Sequence, residues 1–442
     1  MLWIKNAHLI DPANRITGRG SLLAREGRIV KVVVGEELSP AAVTAFLGCA
    51  GLGEVTVVDG SGKYLFPGLI DVHAHLREPG EEEKEEVRSG ARAAVRGGFT
   101  SVLAMANTRP VIDTRALVEY VRLQGERAGK ARVYPVAAVT KGMDGRELTE
   151  MADLKAGGAV AFSDDGKGIQ SAEVMRLALE YAKLTGCPVI SHCEDENLAG
   201  AGVMRKGETS VRLGLRGIPA SAESVMVARD ALLAKETGGR LHLAHVSTKE
   251  SLRLIRTAKA AGVDLTAEVN PHHLLFTDED VPLTGTCYKV NPPLPSREDQ
   301  AALLEGLLDG TIDMLATDHA PHTWEEKAKP FAEAPFGING LETALAAVWQ
   351  ELVAKGKLTP EKLVELWAVN PARRFGLPGG TLAEGAPADL VLFDPAWREV
   401  VTAETMESKS HNTPFLGREL QGFPVMVWVG GQLVMKDRKV LS

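Results

Sequence analysis

Between residues 68 and 316 the chain repeats one pattern: a short apolar run, a helical stretch, then another apolar run. Eight such runs follow in order, at 68–72, 100–105, 132–138, 159–162, 188–191, 241–244, 264–269 and 312–316. Helical stretches lie between them, among them 82–96, 171–184, 222–236 and 249–261. Eight strand-then-helix units predict a closed (β/α)8 TIM barrel rather than an open sheet. No shorter repeat is superimposed on this alternation.

The two ends read differently. Short strand candidates occur at 2–5, 21–24, 28–34, 55–58 and 64–66, and again at 388–393, 425–429 and 432–434. Asn14, Gly27 and Asp59-Gly60 mark turns, and Gly430-Gly431 is a hairpin signal. Residues 1–64 and 380–442 are therefore expected to pair into a small β-sandwich domain beside a barrel of residues 65–379. The 36–54 segment, with an Ala-rich stretch at 40–47, reads as a short helix or an inserted loop.

A chain of 442 residues accommodates a barrel and an extra module, and 45% hydrophobic with 24% charged residues suits a soluble globular protein. The net charge of -8 argues against a nucleic-acid partner. Four cysteines without a C-x-x-C pair read as reduced thiols in a cytoplasmic protein. The N-terminus lacks a secretory pattern and no apolar run is long enough for a membrane span.

Active sites of such barrels lie at the C-terminal strand ends. The first strand is followed by His73-Ala74-His75, two histidines that share a side in an extended chain. The fourth is followed by Asp164-Asp165, the fifth by His192, the sixth by His245 and the eighth by Asp318-His319. Singly, each could be a cap, a turn residue or a satisfied histidine. Together they form a metal-type ligand set. His and Asp without Cys suit zinc or a similar divalent ion, and four histidines with two aspartates suffice for two ions. The chemistry expected of such a pair is hydrolysis of an amide or ester, or its reverse.

Further motifs make a resemblance specific. The run from Pro67 to His75 resembles the amidohydrolase superfamily, and its continuation Leu76-Arg77-Glu78-Pro79-Gly80 resembles bacterial dihydroorotases. Similar runs are Ala104 to Pro110, Phe162 to Gly166, His245 to Thr248, Lys289 to Leu294, Ala316 to His322 and Pro335-Phe336-Gly337. The resemblance spans nearly the whole chain. It implies a binuclear zinc site, with His73, His75 and Asp318 on one ion and His192 and His245 on the other. Many superfamily members bridge the ions with a carboxylated lysine on strand four. Asp165 stands there instead, as in the bacterial dihydroorotase branch. An aspartate bridge weakens retention of the second zinc, so a one-zinc form is expected beside the two-zinc form.

The reaction implied is the reversible cyclisation of N-carbamoyl-L-aspartate to dihydroorotate in pyrimidine biosynthesis. A zinc-activated hydroxide would attack the ring amide, with Asp318 as general acid and base. Arg77 would bind the substrate carboxylate, with Asn107 and His322 completing that pocket. Asn291 and the backbone of Phe336-Gly337 would hold the ring edge, and His75 also borders the substrate. Arg77 has a competing reading as a surface ion pair to Glu81-Glu82-Glu83. The rivals to the whole assignment are an allantoinase or dihydropyrimidinase, and a non-catalytic scaffold for aspartate transcarbamoylase. A homodimer, and contact with that transcarbamoylase by an active enzyme, are family-level expectations. His272-His273 read as loop packing, His242 as a barrel-wall residue, Lys141 and Lys167 as solvated, and residues 81–86 as the start of an exposed helix.

Overall fold

The computed structural model describes residues 1–36 and 38–442. Eight parallel strands form the central sheet: Leu69–Ala74, Phe99–Ala104, Arg132–Ala137, Ala161–Ser163, Val189–Ser191, Leu241–Leu243, Leu265–Val269 and Met314–Leu315. They pair in sequence order, with Val102 opposite Val133 and Ile190 opposite His242. The eighth strand closes onto the first through the Ala74–His319 bridge and a 2.8 Å bond from His75 N to His319 O. Buried Asp71 strengthens the seam, accepting from Thr317 N at 2.8 Å and Thr317 Oγ1 at 2.6 Å.

Inside the barrel, Ile70, Val72, Leu103, Val136, Ile190 and Met314 make an apolar plug, and Phe375 and Leu377 join it. A larger core lies between strands and helices, where Val102, Val189 and Leu241 meet Ala91, Val95 and Val118. Each strand thus buries both faces, as parallel strands do.

Nine strands from the two ends form a second sheet. Tyr64–Pro67 is its joint, pairing parallel to Leu2–Asp11 and antiparallel to Leu390–Val400. The sandwich expected from sequence is one continuous hydrogen-bonded sheet, with its own core of Ile4, Leu9, Leu22, Leu65, Leu390 and Trp428. Gly430 and Gly431, with φ of 55° and 77°, make its C-terminal hairpin. Within the 36–54 segment, Pro40–Leu47 is an α-helix capped by Ser39, and it packs Val43 and Leu47 on Trp3 and Leu23. Glu37 lies outside the described residues.

Two features tie the sheet to the barrel. Asp389 receives a bidentate pair from Arg132 at 3.1 and 3.2 Å. The 401–418 segment, between Leu390–Val400 and Glu419–Val429, reaches the loop that follows the eighth barrel strand. There the Asn412 Oδ1 accepts from His322 N at 3.0 Å.

Candidate active site

His73 and His75 owe their aim to an irregular strand. Ile70 and Val72 face the barrel interior, whereas Ala74 packs outside among the helices. The alternation therefore breaks between Val72 and His73, where the register with the second strand slips between Asp71 and Ala74. Such a slip re-aims side chains at a barrel rim. His73, His75, Asp165, His192, His245 and Asp318 are all buried.

Their geometry has a centre. Asp165 Oδ2 lies 3.5 Å from His73 Nε2 and 3.4 Å from His75 Nε2. Its other oxygen, Oδ1, lies 3.5 Å from His192 Nδ1 and 3.4 Å from His245 Nε2. One carboxylate thus faces two histidine pairs. Asp318 Oδ1 stands on the first side, 3.1 Å from His75 Nε2 and 3.5 Å from His73 Nε2. The neighbouring Asp164 turns away, accepting from Val139 N at 2.8 Å, Thr140 N at 3.1 Å and the Thr140 hydroxyl.

This arrangement fits divalent cations. His73 Nε2 and Asp165 Oδ1 are buried without a hydrogen-bond partner. His192 Nδ1 and His245 Nε2 face each other at 2.9 Å. Mixed imidazole and carboxylate donors suit a borderline ion such as zinc. Burial alone would raise the Asp165 and Asp318 pKa values, but the facing histidines, His73 foremost, hold both below the usual carboxylate range. Burial likewise opposes a charge on His73, yet Asp165, Glu268 and Asp318 push its pKa well above the ordinary value. The cluster's field calls for positive charge at its centre.

A carboxylate hidden on the seventh strand orients His73. Glu268 Oε1 accepts from His73 Nδ1 at 2.7 Å and from His245 N at 3.2 Å, and Oε2 lies 2.9 Å from His242 Nε2. Despite the cost of burial, His73 and His242 hold the Glu268 pKa down to about 2. Glu268 thus fixes a proton on His73 Nδ1, so that a cation displacing the Nε2 proton would find that nitrogen's lone pair aimed into the cluster. His242 is the wall residue expected, with Thr266 Oγ1 on its far side at 2.8 Å. Glu268 was not legible in advance; its only signal is a lone acid within the strand Leu265–Val269.

The pocket residues gather at the same mouth. Arg77 is 8% exposed. Its Nε donates to Pro321 O at 3.1 Å and its Nη2 to His322 Nε2 at 3.3 Å. Among the described residues no carboxylate lies in ion-pair range of Arg77; Glu81 pairs with Lys84 at 2.9 Å instead. Arginine cannot accept, so His322 Nε2 carries the lone pair and Nδ1–H points to Glu326 at 3.1 Å. Burial, then Arg77, holds the His322 pKa down to about 2. Asn107 Oδ1 lies 2.8 Å from His75 Nδ1, so this side chain orients a histidine. Asn291 Oδ1 is buried without a partner. Gly337, φ 150°, could not carry a Cβ, which would sit 2.5 Å from Ala320 O and 2.8 Å from His322 Cδ2.

Three of these residues, Arg77, His245 and Asp318, adopt positive φ of 61°, 31° and 48°. Each such conformation costs about 1–3 kcal/mol and persists where the surroundings hold it. The acidic run differs from expectation. The helix starts only at Val87, and Glu85 is buried against His319 Nε2 at 3.2 Å and the Ser408 hydroxyl. His272 and His273 lie in the helix Pro271–Leu275, where His273 Nε2 meets Pro292 O at 2.8 Å and His272 Nε2 has no partner.

Comparison with known proteins decides the family. A Dihydro-orotase-like family model matches residues 62–251. A dihydroorotase of Pelotomaculum thermopropionicum is 54% identical over 425 residues, covering 95% of this chain and 99% of that protein. The chain belongs to the dihydroorotase family. Another dihydroorotase, from Geobacillus kaustophilus, is 51% identical over 381 residues, covering 86% of this chain and 89% of that one. Among solved structures, an L-hydantoinase (dihydropyrimidinase) of Arthrobacter aurescens superposes with a TM-score of 0.84 at 26% identity, covering 100% of this chain and 97% of that one. The chain thus shares its architecture with that hydantoinase.

Proposed function

We propose that this chain is a zinc-dependent dihydroorotase that interconverts N-carbamoyl-L-aspartate and dihydroorotate for pyrimidine biosynthesis. The carrying observation is a buried arginine without a counter-carboxylate, Arg77, at the mouth of the His/Asp cluster. His73, His75 and Asp318 would hold one ion, and His192 and His245 the other, with Asp165 between them. Bound ions would supply the Lewis acidity that activates water and polarises the ring carbonyl.

The chain's own groups do the rest. Arg77, held by Pro321 O and His322, presents its guanidinium to the substrate carboxylate, a match worth two parallel hydrogen bonds. Asn107 and His322 border that carboxylate. Asn291 and the Phe336-Gly337 backbone take the ring edge, and glycine is needed at 337 because Ala320 O and His322 already fill the space a Cβ would take. In hydrolysis the ring amide C–N bond breaks, water oxygen joins the carbonyl carbon, and a proton passes to the leaving nitrogen. Asp318, kept ionised by its histidine neighbours, accepts that proton from water and delivers it. Cyclisation runs the same steps in reverse.

The proposal extends to a catalytic unit of residues 65–379 and a terminal unit of 1–64 with 380–442, to a cytoplasmic location, and to a homodimer able to contact aspartate transcarbamoylase. Among the described residues no helix is long and apolar enough to cross a membrane. A panel of dihydroorotate, allantoin and dihydrouracil tests the substrate. Selective turnover of dihydroorotate supports the assignment. Turnover of only the uncharged rings would move it to the hydantoinase side of the fold.

A further inference from the structure

Two lysines near the substrate mouth are buried without a carboxylate partner. Lys289 and Lys327 are each 2% exposed. Neither makes an ion pair among the described residues. Burying an uncompensated ammonium is costly unless its donors are satisfied, and here backbone carbonyls satisfy them. Lys327 Nζ reaches Gly337 O at 2.9 Å, Pro335 O at 3.0 Å and Lys289 O at 3.4 Å, one acceptor for each N–H. Lys289 Nζ donates to Phe331 O at 2.7 Å and Ala332 O at 3.1 Å. It also sits 4.7 Å from the Phe336 ring centroid, within cation–π range.

All but one of these acceptors belong to a single loop, residues 331–337. That loop has little regular structure of its own. Gly337 N donates to Lys289 O at 2.9 Å, and Asn412 Nδ2 donates to Gly337 O at 3.0 Å. The loop ends at the Phe336-Gly337 backbone, packed against His322, which itself touches Arg77. Two ammonium heads spent on one loop's carbonyls are more than simple packing of that loop would require.

We propose that Lys289 and Lys327 are positioning residues that clamp the 331–337 loop so that its Phe336-Gly337 backbone is preset for the ring edge of the substrate. The inference deepens the proposed function and rests on it for the identity of the substrate. Burial pulls the Lys289 pKa down to about 8 and the Lys327 pKa down to about 7, consistent with heads that have no counter-charge. A presettled backbone lowers the ordering cost of binding, so its loss weakens binding of ground state and transition state alike.

The test uses the full-length, zinc-loaded protein and its Lys327→Met, Lys327→Gln and Lys289→Met variants. Amide hydrogen exchange is followed across 328–338 and across barrel peptides, with metal content, kcat and KM for dihydroorotate. The methionine variants should speed exchange of 328–338 about tenfold and raise KM about tenfold, while kcat stays within about threefold. Lys327→Gln, which keeps amide donors, should recover part of the KM. Unchanged exchange and KM would overturn the clamp, as would loss of barrel protection or of metal in every variant. Exchange needs no turnover, so it judges the clamp even if the wild type leaves dihydroorotate untouched, a result that would instead sink the substrate assignment.

Discussion

Replacing Glu268 by glutamine should weaken metal binding without unfolding the barrel. The carboxylate takes three hydrogen bonds, from His73 Nδ1 and His245 N on one oxygen and with His242 Nε2 on the other. A glutamine can keep its carbonyl toward His73 and His245 only by turning its NH2 to His242. His242 can accept there by moving its proton to Nδ1, where the Thr266 hydroxyl can receive it. The bonds therefore survive, but the His73 bond changes from charge-assisted to neutral. Charge-assisted bonds contribute about 1.5–3 kcal/mol and neutral ones about 0.5–1.5 kcal/mol. His73 also becomes a less basic ligand. Changes of this kind cost about 10–100-fold in metal affinity. The assay is a chelator-competition titration with zinc on both proteins, alongside thermal melting of the metal-free forms. Zinc affinity within about twofold of wild type would refute the claim that Glu268 sets the His73 tautomer and basicity. Glu268→Leu, which strands all three partners, should by contrast lower stability as well.

Arg77→Met should raise KM for dihydroorotate by about 30-fold or more, since a bidentate charged contact is lost; an unchanged KM would return Arg77 to a structural role. Asp318→Asn should lower kcat by about 100-fold or more while zinc remains bound, measured as turnover per metal; full turnover would remove Asp318 from proton transfer. Burial holds the His272 pKa near 4, below its ordinary 6.5, so the folded state resists a proton that the unfolded chain accepts. Stability from this group is intact above about pH 6.5 and falls as pH drops toward 4, by up to about 3 kcal/mol. His272→Gln should therefore lose less stability than wild type between those pH values in denaturant titrations of the metal-free protein, and parallel losses would contradict it.

The barrel was legible because its strands are continuous apolar runs buried on both faces, and such runs need no long-range information. The strand ends were legible as candidate ligands for the same reason: polar residues stop the runs abruptly. What strand alternation could not supply was the slip after Val72 that turns His73 and His75 inward, since nothing in Val72-His73-Ala74 marks an irregular register. Nor could it choose between Asp164 and Asp165; the family resemblance pointed to Asp165, and in the structure Thr140 and Val139 collect the Asp164 carboxylate. The acidic run read as solvated because a linear charge pattern does not reveal that Glu85 meets His319 and Ser408, which are remote in sequence. Asn412 was invisible for the same reason: it lies in a terminal-sheet excursion whose contacts are tertiary. The Gly430-Gly431 hairpin was local and readable, whereas the pairing of Tyr64–Pro67 with Leu390–Val400 joins distant segments.

The central claim is that a carboxylate-reading arginine directs a His/Asp metal cluster to dihydroorotate. The most direct test is loss of dihydroorotate ultraviolet absorbance with zinc-loaded wild type, before and after chelation, with dihydrouracil in parallel. Fast turnover of dihydroorotate alone, abolished by chelation and restored by zinc, is the outcome expected. Turnover that survives complete metal removal, or that prefers dihydrouracil, would contradict the account.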